Sequence, residues 1–97
     1  MKAETLTRWD MAENMKTEED NAAYLETALE EGDPAFISAV LDDMARSKGM
    51  TQMAKETGLA RESLYRALSA DGNPSFATVI KVIKALGLKM RIESART

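Results

Sequence analysis

Between Thr17 and Gly87 the apolar residues recur mostly three and four apart, the spacing of helices that bury one face. In "KTEEDNAAYLETALEEGD" the stripe is Ala22, Leu25, Ala28 and Leu29, which predicts a helix from about Glu18 to Glu31. Thr17, followed three residues later by Asp20, has the form of a capping box, acids fill the first turn, and Gly32 supplies a left-handed stop. A second helix follows from Asp33 as N-cap, Pro34 at the first helical position, an apolar face of Ile37, Val40, Leu41 and Met44, and Gly49 beyond the end. "MTQMAKETGLARESLYRAL", residues 50–68, is divided by Gly58 into two shorter amphipathic pieces. After the turn chemistry of "SADGNPS", the segment "SFATVIKVIKALG" begins with Ser75 as cap and sets Phe76, Val79, Ile80, Ile83 and Leu86 on one side. Val82 lies off that stripe and is expected to meet something else.

The period then changes. Leu88, Met90 and Ile92 alternate with Lys89, Arg91 and Glu93, which is strand spacing, although no second strand is evident to satisfy the backbone. The expected partner is the same strand of another copy, with Val82, Leu88, Met90 and Ile92 at a dimer interface. At the other end, "TLTRWDMAENM" is expected to wrap onto the core through Trp9 and Met11.

The divided segment carries the candidate chemistry. Two helices that meet closely at a fixed angle need a small residue at the contact, a glycine in the turn and apolar residues behind it. Ala54, Gly58 four residues later, Leu59, and Leu64 six after the glycine meet those needs, with Thr51 as the expected cap of the first helix. Along the second helix, about Arg61 to Ser69, Leu64, Ala67 and Leu68 fall on one side. Arg61, Glu62, Tyr65, Arg66 and Ser69 fall on the other, where a recognition helix would meet the major groove. Arg61 and Arg66 can bind guanine edges or phosphate, Tyr65 and Ser69 phosphate, and Glu62 cytosine N4; Gln52 is placed for a phosphate or an adenine edge. The same pattern also fits a helical domain in which these side chains are merely solvated, so spacing leaves a packing-only role open.

Charge changes that balance. The chain of 97 residues has a net charge of −3, but residues 1–43 carry twelve acids and three bases, while residues 44–97 carry ten bases and four acids. The candidate DNA reader therefore lies in a half of net charge +6, the footprint that phosphate binding requires. Cysteine and histidine are both absent, which removes thiol nucleophiles, imidazole bases and the commonest zinc ligands. The acids stand at solvated helical spacing with no nucleophile or phosphate loop beside them. The expectation is no catalysis, no metal and no cofactor. No apolar run reaches membrane-span length, so a cytoplasmic protein without a membrane partner is expected.

With these residues in view, the chain resembles the addiction-module antidote proteins, Xre/HigA-like helix-turn-helix antitoxins of bacteria and prophages. The resemblance runs from about Trp9 to Ile92, and its most specific pieces are "WD", "EEGDP", "GLARESLYRALS" and "GNPSFATVIKVIKALGL". It implies an all-α, lambda-repressor-like fold, here a single domain over residues 1–97. Its parts are an arm at 1–16, a helical core at 17–87 with the helix-turn-helix at 51–69, and the dimer-pairing strand at 88–94. It also implies a type II antitoxin that neutralises a small basic RelE/ParE-like toxin and, as a homodimer, represses its own double-stranded operator. The −9 half can meet a basic toxin, with Glu18, Glu19, Glu26, Glu30 and Glu31 as the candidate contacts. Two departures stand out: Ala60 replaces a serine found in many members, and "TQ" puts two residues before Ala54 where phage repressors commonly have four. The alternatives are an orphan prophage-type regulator, or a protein-interaction module without DNA binding.

Overall fold

A computed structural model describes residues 18–69 and 71–95. Thr17, Trp9 and Met11 lie outside the described residues. Five helices follow one another: α1 (Glu18–Glu31), α2 (Pro34–Lys48), α3 (Met50–Thr57), α4 (Arg61–Ala67) and α5 (Phe76–Ala85). The core takes Tyr24, Leu25 and Ala28 from α1 and Val40, Leu41, Met44 and Ala45 from α2. Met50 and Met53 from α3, Leu64 from α4 with Leu68 just beyond it, and Val82, Ile83, Ala85 and Leu86 from α5 and its end complete it. α1 packs on α2, α3 touches α2, α4 and α5, and α2 also meets α5.

The boundaries have local causes. Asp33 accepts the Ala35 amide at 3.1 Å, and Pro34 opens α2 where a missing N–H costs nothing. Gly49, at φ 111°, ends α2 and begins α3: its N–H donates to Ala45 O at 2.9 Å, and its carbonyl accepts the Met53 amide at 2.9 Å. Helix α3 thus starts at Met50 with Gly49 as its N-cap, not with Thr51, because the glycine already supplies the first helical carbonyl. Ser75 caps α5 through the Thr78 amide at 3.1 Å.

Two buried faces are rotated from the expected stripes. On α1 the half-turn containing Tyr24 is inside and Leu29 is exposed; on α5 Val82 is fully buried and Phe76 is 70% exposed. Val82 accordingly packs within the chain's own core.

The expected C-terminal strand is absent: among the described residues there is no β-strand of any kind, and residues 88–95 are irregular. Gly87, at φ 79°, donates its N–H to Lys84 O at 3.0 Å, and Leu88 donates to Ile83 O at 3.1 Å. These two bonds form a Schellman termination, with Leu88 set against the core as its apolar contact. Leu88 therefore belongs to the end of α5. That leaves an alternation of only Met90 and Ile92, which are 48% and 92% exposed. With no second strand to complete a ladder, the fold is a small all-α bundle.

Candidate nucleic-acid interface

The corner between α3 and α4 is built around Gly58, in the left-handed region at φ 76°, whose N–H returns to Ala54 O at 2.9 Å. A β-carbon there would meet no neighbour, so glycine is required by its dihedral rather than by space. Thr57 stiffens the corner from inside. Its buried hydroxyl donates to Met53 O at 2.7 Å and accepts the Leu59 amide at 3.2 Å. Ala60 makes no side-chain cap, so α4 is held mainly by burying Leu64 and the adjoining Leu68.

With those leucines inside, the opposite side of α4 is outward. Arg61, Glu62 and Arg66 are exposed, and their side chains make no hydrogen bond or ion pair among the described residues. Their donors and acceptors are thus available together on one face. Ser69 is also exposed, just past the helix, with its hydroxyl donating to Arg66 O at 2.9 Å. Tyr65 is half-buried and lies beneath a cation not anticipated from the motif: the Arg46 guanidinium stands 4.9 Å from its ring centroid. Arg46 Nε also pairs with Asp42 Oδ2 at 2.9 Å, and that bond, with the carboxylate's charge, raises the arginine pKa above its ordinary value. The Asp42–Arg46 spacing of four was legible as a helical ion pair, but the stacking on Tyr65 depends on how α2 crosses α4.

Gln52 is exposed on α3 and is already engaged, donating Nε2 to Glu56 Oε2 at 2.5 Å. Glu56 in turn accepts Lys48 Nζ at 2.9 Å, and Lys48 also bonds the Ala85 carbonyl at the end of α5. The relay fixes Gln52 and ties α2, α3 and α5 together. Hydrogen bonds from Gln52 and then Lys48 lower the Glu56 pKa from its ordinary value. Because a depressed carboxylate stabilises the fold above its unfolded pKa of about 4.3, that contribution is lost as pH falls through the lower folded value. In acid titrations of stability, Glu56→Gln is expected to decline less steeply than wild type below about pH 4.3; parallel curves would show that the relay adds nothing.

The acidic residues form a second exposed surface. At 100° per residue, Glu19, Glu26 and Glu30 fall within about 40° of one another, opposite the buried side of α1. Glu18 lies instead beside Gly87 at the end of α5, and Glu31 ends the helix on another side. Of the expected dimer residues, Met90 and Ile92 are exposed, Leu88 is half-buried and Val82 is internal. Among the described residues no cluster of acids could hold a metal ion, and no helix is long and apolar enough to cross a membrane.

Residues 5–94 match the profile of a family described as "Probable addiction module antidote protein". The chain is also 44% identical over 93 residues to an uncharacterized protein of Haemophilus influenzae, covering 96% of each chain. No solved structure matches it.

Proposed function

Because the chain belongs to the addiction-module antidote family, we propose that it is the antitoxin of a type II toxin–antitoxin module and also the repressor of its own operator. In this reading it is an Xre/HigA-like protein of the cytoplasm. It neutralises a small basic RelE/ParE-like toxin by stoichiometric binding and has no catalytic role. The observation that supports DNA binding best is the outward face of α4, where the Arg61 and Arg66 side chains have no partner among the described residues, beside a corner fixed by Gly58. Two outward guanidiniums on a short helix anchored by a buried leucine suit bidentate contact with guanine or phosphate. A homodimer, which a two-fold operator would call for, can bury the exposed Met90 and Ile92 without any strand pairing.

Toxin recognition is assigned to the outward stripe of α1, Glu19, Glu26 and Glu30, with Glu18 and Glu31 as further contacts at the two ends of the helix. Support comes from the concentration of acid in residues 1–43 and the basic character expected of the partner. The charge division lets each end attract a different partner.

Arg66→Ala is expected to weaken binding to a duplex from the region upstream of the reading frame by about 1 to 3 kcal/mol at fixed salt. Equal affinities in a fluorescence titration would remove Arg66 from the contact set. The alternative of an interaction module without DNA binding draws on Gln52 and Ser69, whose polar groups already have internal partners. It would gain if the protein held its toxin tightly but bound no upstream duplex at low salt.

A further inference from the structure

Arg46 belongs to α2, outside the helix-turn-helix, yet its guanidinium lies over a side chain of α4. Three features distinguish it from a cation that is merely solvated. First, its position is fixed twice, by Asp42 at 2.9 Å and by the Tyr65 ring at 4.9 Å. Little side-chain freedom remains to be lost on binding a ligand. Second, the members of the ion pair are exposed unequally: the Arg46 side chain is 56% exposed and that of Asp42 is 14% exposed. Asp42 Oδ1 is enclosed and has no hydrogen-bond partner among the described residues, and the pair presents its positive member to solvent. Third, only Nε of the guanidinium is used among the described residues, leaving the Nη groups as donors in a planar fork.

Tyr65 decides where that fork sits. It is four residues after Arg61 and four before Ser69, and it adjoins Arg66, so, half-buried, it stands at the edge of the outward surface of α4. An arginine stacked on this ring adds a donor edge to that surface from a separate helix.

We propose that Arg46 is a backbone-phosphate contact, held in place by Asp42 and Tyr65, which extends the DNA interface from α4 onto the last turn of α2. The proposal rests on the operator-binding reading above. A phosphate oxygen pair matches the free guanidinium edge in charge and spacing, and such a contact anchors orientation without reading sequence.

Affinity for the upstream duplex and for a scrambled duplex of equal length is measured between about 50 and 200 mM salt, the range over which phosphate contacts dominate the change. Arg46→Ala is expected to bind both about tenfold more weakly, since it loses a charge-assisted hydrogen-bonded contact. It should also lower the slope of log K against log salt by about 0.9, one phosphate's worth of released counterions. Arg46→Lys should retain the slope while losing part of the affinity. Should Arg46→Ala fail to fold, Arg46→Gln, which preserves length but not charge, serves for the same comparison. An unchanged slope in the folded neutral variant overturns the phosphate contact while leaving operator binding intact. A loss confined to the upstream duplex overturns it as well, because it marks a base contact. Wild-type protein that binds neither duplex at low salt removes the operator-binding reading and this contact together.

Discussion

Leu64→Ala is expected to lower the free energy of unfolding by about 2 to 5 kcal/mol, the range for truncating a large core side chain that leaves a cavity. Leu64 is fully buried and is the one residue of α4 wholly inside the core. Its seven residues are too few to persist as an isolated helix, and its N-cap is an alanine without a capping hydroxyl. The helix therefore depends chiefly on Leu64 for attachment to the core, with the half-buried Tyr65 beside it and Leu68 just beyond its end. Urea unfolding should show a lower midpoint with little change in slope. If the variant still folds at the assay temperature, duplex affinity should fall too, because Arg61 and Arg66 depend on the same helix for their positions. A loss below about 0.5 kcal/mol, the scale of ordinary surface changes, would contradict this account of α4.

The second large effect is expected at Gly72. A β-carbon there would lie 2.6 Å from the Arg66 carbonyl oxygen and closer still to that of Ala67, both backbone atoms. The Gly72 amide also donates to Ser69 O at 2.9 Å, so the loop before α5 rests directly on the end of α4. In Gly72→Ala either the loop lifts and strains that bond or the last turn of α4 gives way. The expected cost is about 1 to 3 kcal/mol, as for other overpacked sites. Unlike Leu64→Ala, this change acts at the C-terminal end of the proposed DNA-binding surface. Thermal melts should register the destabilisation, and duplex titration should show displacement of Arg66 and Ser69 as weaker binding. Wild-type behaviour in both would mean that the loop relaxes without cost.

How much of this could be read from the chain depended on whether the cause was local. The limits of α1 and α2 follow from glycines at their ends and from the Asp33-Pro34 start, all adjacent to the residues they govern. The outward side of α4 was legible too, because Leu64 and Leu68 leave a short helix few ways to face. Helix α5 was harder. Phe76, Val79, Ile80, Val82, Ile83 and Leu86 surround much of it, so periodicity admits more than one buried stripe, and packing against α3 selects the one containing Val82. The apparent strand failed for a related reason. Alternation over Leu88, Met90 and Ile92 is too short to outweigh the backbone bonds by which Leu88 completes the end of α5. In the candidate interface, Arg46 could be paired with Asp42 by counting residues, but its meeting with Tyr65 required the fold.

The double service of Gly49 sets a limit on how this protein can vary. Its amide closes one helix and its carbonyl opens the next, so no slack separates Ala45 from Met53. One inserted residue would have to break one of those bonds or turn α3 by about 100° relative to α2. Either outcome would carry Glu56, and Gln52 with it, away from Lys48 and break the relay that ties α3 to α2. Length changes at this joint are thus frame errors in three dimensions, penalised whatever residue is added.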